Sequence, residues 1–349
     1  MPLSVLTDDD IRLLLENLTQ DDLEPFTAGL KLALHEYSTN TQSDDTLVHQ
    51  PERISVHSPA TGATTLFMPS TSPGGHGVKG TRSIVGLEDR GDKKILTVTL
   101  VITLSSAAHQ QSTASQPVIR PTGAITLFGP DGCPLGILHA SSLTAFRTAL
   151  ASVCLLARRN SVRTLTVFGC GEQAFWHIRL ALLLRGSTIR HINVINRRFS
   201  ESCKAILKRF YDIPGATKRR EGWEEAQFGV LTPGYGEYHR LLQEQLLSAD
   251  VIFCCTPSTE PLFDAGILTS REGRRKGRLI IAIGSYTPSM RELPVELLRQ
   301  AVKTHEKGHH HYHKHALEGG VIVVDTLDGA LKEAGEIIEA HLEPKQLVE

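Results

Sequence analysis

The sequence predicts an α/β protein of two domains, one of which is built on a doubly wound parallel sheet. Its 349 residues suit two cores of moderate size better than one. From about residue 145 onward, short apolar segments alternate with amphipathic helical segments, which is typical of a parallel sheet covered on both faces. The stretch V-F-G-C-G-E-Q-A-F-W-H at 167–177 follows the first of these segments and has the glycine spacing of a phosphate-binding turn.

The charge balance excludes some classes of partner. Lysine and arginine together number 37 and aspartate and glutamate 38, so neither nucleic acid nor an anionic membrane is an expected partner. No apolar run approaches the roughly 20 residues of a membrane span, and the acidic segment 1–10 does not resemble a signal peptide. We therefore expect a soluble, cytoplasmic protein.

The cysteines and histidines do not predict a metal site. The six cysteines show no C-x-x-C pair and are expected to be reduced thiols. Cys170 lies inside the glycine turn, where helix N–H groups could lower its pKa, although a small residue filling the turn is the simpler interpretation. The histidine run at 308–315 is expected to be a solvated loop, because a flexible loop does not fix a coordination geometry.

The first part of the chain predicts helices packed on an antiparallel meander. One helix begins after a Thr7 cap, and another spans about 21–37. Strand patterns follow, with turns between them, at 53–57, 64–68, 94–104, 124–128 and 135–139. The polar segment 105–117 is expected to be a mobile loop.

The second part predicts the doubly wound domain, over 145–320. A long helix starts near Ser141, and strands are expected at 165–168, 191–195, 249–255, 278–283 and 321–325. The helix after Asp325 has no strand to lead to and could pack back on the first domain. That domain would then be discontinuous, comprising 1–144 and 321–349.

The glycine turn predicts a dinucleotide site of the Rossmann type. Gly169 permits the tight turn, Gly171 lets the backbone approach a pyrophosphate, and Ala174 is small enough for close packing of helix on strand. Glu172 and Gln173 complete the turn.

Two further segments are expected to contact the cofactor. The strand at 191–195 ends in Asn196, Arg197 and Arg198, where an NAD site would carry an acid. Arginines can pair with a 2′-phosphate, so NADP(H) is preferred over NAD. Cys255, Thr256 and Pro257, at the end of the fourth strand, are placed to line the cleft.

Several motifs in order resemble the ornithine cyclodeaminase and mu-crystallin family. They include P-E-R-I-S-V-H-S-P-A-T-G, G-V-K, L-T-A-F-R-T-A, the glycine turn, A-D-V-I-F-C-C-T-P-S and I-G-S-Y-T-P-S-M-R-E-L. The resemblance implies a homodimer, with a substrate-binding and dimerisation domain made from both chain ends. It also implies that Arg53, Lys79 and Arg147 hold the substrate carboxylate, with Met68 nearby.

Two departures from the family pattern favour reduction over cyclodeamination. Tyr286 stands where cyclodeaminases carry an aspartate that handles the substrate's amino groups, and Leu66 replaces another acid. A preformed iminium already has its proton and needs an anchored carboxylate, a hydride donor and a dry pocket. The hypothesis is an NADPH-dependent reductase of cyclic imine or ketimine 2-carboxylates, with Tyr286 covering the pocket or donating a hydrogen bond.

Other interpretations stay open at this point. A true cyclodeaminase or amino-acid dehydrogenase is one alternative, and a non-catalytic protein that binds NADPH and a small ligand is another. The long segment 86–121 could reshape the pocket. Asp325 could order a cofactor or cap the following helix, and His177 is expected to pack rather than to catalyse.

Overall fold

The computed structural model describes residues 3–40, 54–57, 64–72, 96–106, 119–128, 133–303 and 320–349. They form two units, Met1–Ala151 and Ser152–Glu349. The histidine run at 308–315, most of the loop expected at 105–117 and much of the segment 86–121 lie outside the described residues. None of the described helices is both long and apolar enough to cross a membrane.

The first unit is built on a six-stranded sheet of order β1-β6-β5-β4-β3-β2. Its strands are β1 (Ser4–Leu6), β2 (Ile54–His57), β3 (Thr64–Ser72), β4 (Leu96–Ser106), β5 (Ile119–Phe128) and β6 (Pro134–His139). Strands β2 to β6 pair antiparallel in chain order, which confirms the meander. β1 was not expected, because its three residues are too few for a period to show; it pairs parallel with β6.

Three helices accompany this sheet: α1 (Asp8–Glu16), α2 (Gln20–Asn40) and α3 (Ala140–Leu156). Thr7 caps α1 as expected, through a capping box with Asp10. Asp8 accepts hydrogen bonds from the backbone and hydroxyl of the buried Ser142, so the start of α1 is held against the start of α3. Phe26 of α2 packs edge to face on Phe146 of α3.

The second unit contains a five-stranded parallel sheet of order β11-β10-β7-β8-β9. Its strands are β7 (Thr164–Phe168), β8 (His191–Ile195), β9 (Gln227–Leu231), β10 (Val251–Cys254) and β11 (Leu279–Ala282). Its helices are α4 (Glu172–Arg185), α5 (Glu201–Asp212), α6 (Gly215–Glu221), α7 (Tyr238–Ser248), α8 (Ala265–Thr269) and α9 (Val295–Ala301). The strands β7 and β10 are buried throughout, as the apolar runs predicted.

One strand expectation was wrong. The segment 321–325 does not join the parallel sheet: only β12 (Ile322–Val323) is a strand, and it pairs parallel with β13 (Leu347–Val348). The fifth strand of the large sheet is instead β9, which pairs on one side only. Its sequence Q-F-G-V-L alternates between exposed and more buried residues, so it lacks the continuous apolar run used to find the others.

The C-terminal segment packs within the second unit. Its helices are α10 (Leu327–Glu333) and α11 (Gly335–Ala340), and single 3-10 turns lie at Gly273–Arg275 and Pro344–Gln346. Leu298 of α9, Ile337 and Leu347 belong to one buried apolar cluster. The grouping of 321–349 with 1–144, and of 145–320 as the other domain, stays a prediction.

Candidate cofactor and substrate site

The glycine turn lies where the winding of the large sheet reverses. β7 pairs with β8 on one side and with β10 on the other, so the carboxyl ends of β7 and β10 border the crevice in which open α/β sheets bind ligands. The Cys255 N–H donates to the Phe168 carbonyl at 3.0 Å, and the Gly169 N–H donates to the Ile195 carbonyl at 2.9 Å. The turn and the segment 255–257 are thus neighbours at the switch point.

The two positions of the turn favour glycine for different structural reasons. Gly169 has φ +105°, and an added Cβ would lie 2.7 Å from the Cys255 carbonyl oxygen. Gly171 is the N-cap residue of α4, with ordinary extended backbone at φ −91° and ψ −174°, and as a glycine it supplies no side-chain cap. An added Cβ there would meet nothing within 4 Å. The space beside Gly171 lies at the N-terminus of α4, where the first N–H groups of a helix have no acceptor within the helix itself, and it therefore suits a pyrophosphate.

The first residues of α4 place a paired charge and a buried side chain beside this space. The Glu172 carboxylate is held by Arg209 of α5 at 2.7 Å, and the Arg209 guanidinium stacks on the Phe175 ring. Ala174 is fully buried, as close packing of helix on strand requires. The side-chain Oε1 of Gln173 is buried and has no hydrogen-bond partner among the described residues.

His177 is a packed residue of α4. Its ring is fully buried, with Nδ1 2.7 Å from the Gln173 carbonyl and Nε2 2.9 Å from the Ser152 hydroxyl. Burial lowers the pKa of His177 to about 4, so the ring is neutral at pH 7, with Nδ1–H donating and Nε2 accepting. The structure shows the expected packing of this ring, and the absence of a catalytic role stays a prediction.

The loop after β8 presents two exposed arginines. Arg197 and Arg198 are exposed, and Asn196 is half-buried. The Asn196 amide donates to the Arg198 carbonyl at 2.9 Å and to Cys203 Sγ at 3.2 Å. Asn196 therefore shapes the loop from within, while the arginine side chains face outward as a phosphate contact requires.

A buried carboxylate joins the loops after β10 and β11. The N–H and hydroxyl of Thr256 donate to Glu292 Oε1, and the Gly284 N–H donates to Oε2, each at 2.7 Å. Burial raises the pKa of Glu292 to about 7, against these hydrogen bonds, which lower it. Gly284 packs so closely that an added Cβ would lie 1.8 Å from the Thr256 carbonyl oxygen. Tyr286, two residues further on, has 38% of its surface exposed.

Cys255, Thr256 and Pro257 have graded exposure at this edge. Cys255 and Thr256 are half-buried and Pro257 is exposed. Asp325 is exposed and its Oδ1 accepts from the Thr326 N–H at 3.0 Å. The N-cap of α10 is Thr326 itself, so the alternative of Asp325 as the helix cap was wrong.

The residues expected to grip a carboxylate are only partly described. Arg53 and Lys79 lie outside the described residues. Arg147 is exposed on α3, and Met68 is half-buried on β3, opposite Leu100 of β4. Their convergence on one anion stays a prediction.

Sequence reasoning missed two residues that shape the site. Arg209 gave no signal, because a basic residue 37 positions after Glu172 becomes its partner only through the fold. Glu292 stood inside the quoted motif M-R-E-L, where an acid beside apolar residues could have indicated a buried carboxylate. Among the described residues, no group of three or more His, Cys, Asp or Glu could hold a metal ion.

Comparison with known proteins identifies relatives by sequence. No family model matches the chain. An uncharacterized protein of Saccharomyces cerevisiae is 29% identical over 249 residues, 65% of this chain and 62% of that protein. Delta(1)-pyrroline-2-carboxylate reductase of Bacillus thuringiensis is 30% identical over 210 residues, 59% of this chain and 50% of the relative. Ketimine reductase mu-crystallin of Mus musculus is 27% identical over 218 residues, 62% of this chain and 54% of the relative. The matches thus span roughly half to three fifths of these relatives.

Solved structures share the fold over nearly the whole chain. Delta(1)-pyrroline-2-carboxylate reductase of Thermococcus litoralis, in complex with NADH and L-proline, has TM-score 0.63 and 18% identity, covering 99% of this chain and 84% of that one. An archaeal alanine dehydrogenase dimer with bound NAD has TM-score 0.64 and 16% identity, covering 99% and 82%. The α/β fold with its doubly wound parallel sheet is confirmed, and in sequence the chain is similar to pyrroline-2-carboxylate reductase and to ketimine reductase mu-crystallin.

Proposed function

We propose that the protein is an NAD(P)H-dependent reductase of cyclic imine or ketimine 2-carboxylates, yielding proline- or pipecolate-like amino acids. The observation that carries the proposal is the open space at Gly171, at the switch point of the sheet. The relatives named pyrroline-2-carboxylate reductase and ketimine reductase supply the reaction class.

Each part of the proposed site has a separate task. The nicotinamide cofactor, when bound, supplies a hydride for the C2 carbon of the imine. The N–H groups from Gly171 onward hold the pyrophosphate, and Arg209 offsets the charge of Glu172 beside it. Arg53, Lys79 and Arg147 hold the substrate carboxylate, a position that orients C2.

The loops after β10 and β11 form the remaining wall. Glu292 fixes Thr256 and Gly284 relative to each other, and we expect Tyr286, two residues after Gly284, to lie close to the substrate. Tyr286 covers the substrate or donates a hydrogen bond to it. With tyrosine in place of an acid, this position offers no base to deprotonate a substrate ammonium, which cyclodeamination needs and imine reduction does not.

NADPH is the proposed cofactor in preference to NADH. Arg197 and Arg198 are exposed at the end of β8, where a carboxylate would repel a 2′-phosphate. Replacing both by alanine should weaken NADPH binding at least tenfold and leave NADH binding within about twofold. Arg219→Ala, at an exposed position of α6, serves as the control and should change neither. An equal loss for both cofactors would refute the phosphate-reading role.

The reaction is tested by a substrate panel. NADPH consumption is measured with five- and six-membered cyclic imine carboxylates, beside ornithine and alanine with NAD. Turnover of at least one imine is expected. Conversion of ornithine to proline without imine reduction would instead establish a cyclodeaminase, alanine oxidation a dehydrogenase, and tight NADPH binding without any turnover a binding protein.

Assembly and location complete the proposal. We expect a homodimer, which light scattering after size-exclusion chromatography would show as twice the chain mass. A monomer at micromolar concentration would contradict it. The cytoplasm is the expected compartment, where the reduced cysteines of the chain would persist.

A further inference from the structure

A pair of cysteine sulfurs lies directly behind the proposed cofactor loops. Cys170 stands between the two glycines of the turn, and Cys203 lies in the first turn of α5. Their sulfurs are 2.7 Å apart, although 33 positions separate them in the chain. Both residues are buried and both are free thiols. A disulfide requires about 2.0 Å between sulfurs, so only a small local adjustment separates this contact from a bond.

The sulfur of Cys203 also belongs to the loop expected to read the ribose phosphate. It accepts a hydrogen bond from the Asn196 amide at 3.2 Å and donates to the Arg198 carbonyl at 3.5 Å. The thiol of Cys170 can then donate to Cys203, which completes a chain from the glycine turn to the arginine loop. The two sulfurs therefore connect the two segments on which cofactor binding depends.

We propose that Cys170 and Cys203 form a reversible disulfide when a peroxide is the oxidant, and that this bond weakens cofactor binding. The second half of this inference rests on the proposed function; the first half does not.

The reaction balances with hydrogen peroxide as the oxidant. The Cys170 thiolate, on the more exposed of the two residues, attacks one peroxide oxygen; the O–O bond breaks, a sulfenic acid forms and water leaves. The Cys203 thiol then attacks the Cys170 sulfur: the S–S bond forms, the S–O bond of the sulfenic acid breaks, and the hydroxyl leaves with the thiol proton as a second water. Two thiols are oxidised and one peroxide is reduced to two waters. Burial raises the pKa of the Cys170 thiol, so the thiolate fraction is small and this oxidation should be slow.

The disulfide would loosen the arginine loop. Oxidation removes the S–H of Cys203, so the Arg198 carbonyl loses its sulfur donor. One ordinary hydrogen bond changes an equilibrium by a factor of about 2 to 12. The S–H is a weak donor and the carbonyl keeps the Asn196 amide as its donor, so the lower end of this range applies. We therefore expect the oxidised protein to bind NADPH about twofold more weakly than the reduced protein.

The experiment maps the bond and measures binding on the same full-length sample. Reduced protein is treated with hydrogen peroxide, alkylated, digested and analysed by mass spectrometry, and NADPH binding is measured by calorimetry before and after. A peptide pair linking Cys170 to Cys203, lost on treatment with dithiothreitol, is expected. Cys133→Ser, which removes an exposed thiol elsewhere, should form the same link, whereas Cys203→Ser should not and should bind NADPH equally before and after peroxide.

The outcomes separate the two levels of the inference. Single-site oxidation of Cys170 without a linked peptide would overturn the disulfide, even with normal NADPH binding. A linked peptide with unchanged affinity would overturn the coupling to the cofactor. Absence of NADPH binding in the reduced protein would refute the proposed function and leave the modification standing. If Cys203→Ser does not fold, the peptide map of the unaltered protein still shows whether the disulfide forms. Cys170→Ala then replaces Cys203→Ser as the variant that cannot form it.

Discussion

Substituting alanine at Gly169 and at Gly171 should separate folding from cofactor binding within three residues of chain. Gly169→Ala puts a Cβ 2.7 Å from the Cys255 carbonyl oxygen, at φ +105°. The positive φ costs about 1–3 kcal/mol and the overpacking costs about 1–3 kcal/mol more. We expect a loss of about 2–6 kcal/mol in the free energy of unfolding.

Gly171→Ala is the matched variant and should behave in the opposite way. Its Cβ would meet nothing within 4 Å and its backbone is already extended. The gain of about 0.4–1 kcal/mol from a stiffer unfolded chain offsets a loss of similar size at the N-cap. Stability should stay within about 1 kcal/mol, while the methyl group occupies the space proposed for the pyrophosphate. NADPH affinity should fall at least tenfold, about 1.4 kcal/mol.

Urea unfolding followed by circular dichroism, together with calorimetric titration of NADPH, measures both quantities. The reasoning is refuted if Gly171→Ala binds NADPH as the unaltered protein does. It is also refuted if Gly169→Ala is as stable as Gly171→Ala, because the structure gives only the first substitution a steric cost.

Three further outcomes follow from charged and titratable groups of the second unit. Glu221 is the bidentate partner of Arg179, and both side chains are only 4% exposed, so Glu221→Ala leaves a buried arginine without its carboxylate. Urea unfolding should show a loss of about 3–5 kcal/mol in the free energy of unfolding. A loss of less than about 1 kcal/mol would contradict this. The pKa of His177 is about 4 in the folded protein and 6.5 ordinarily, so between these values only the unfolded chain takes up a proton as the pH falls. Relative to His177→Gln, the protein should therefore lose about 3 kcal/mol of its free energy of unfolding from pH 6.5 to 4. A difference between the two proteins that does not change with pH would exclude the buried neutral ring. Arg209→Leu leaves the Glu172 carboxylate without this partner beside the proposed phosphate site. Calorimetry should then show NADPH binding about tenfold weaker. Unchanged affinity would show that Arg209 plays no part in cofactor binding.

Local patterns in the sequence predicted most of the fold correctly. The Thr7 cap, the meander and the strands β7, β8, β10 and β11 each carry their signal within a few residues. The strand β9 was not predicted, because it is an edge strand that is half-exposed and its apolar run is interrupted. The segment 321–325 was wrongly predicted to join the parallel sheet, because a short apolar run also suits a strand of a small two-stranded sheet.

The site was predictable where its residues follow one another along the chain. The spacing of Gly169 and Gly171 in the sequence predicted the turn, and the structure shows that Gly169 is the one for which an added Cβ would clash. Contacts between distant segments gave no such signal. The pair of Arg209 with Glu172, and the three hydrogen bonds to Glu292, exist only once helix and loops are folded against each other.

In the proposed reaction a hydride passes from the cofactor to C2 of a cyclic imine carboxylate. It is tested most directly with NADPH that carries deuterium at the transferable C4 position and with Δ1-pyrroline-2-carboxylate as substrate. Mass spectrometry of the product should find proline with one deuterium, located at C2. Proline without deuterium, or proline made only from ornithine with release of ammonia and no net consumption of NADPH, would contradict the proposed reduction.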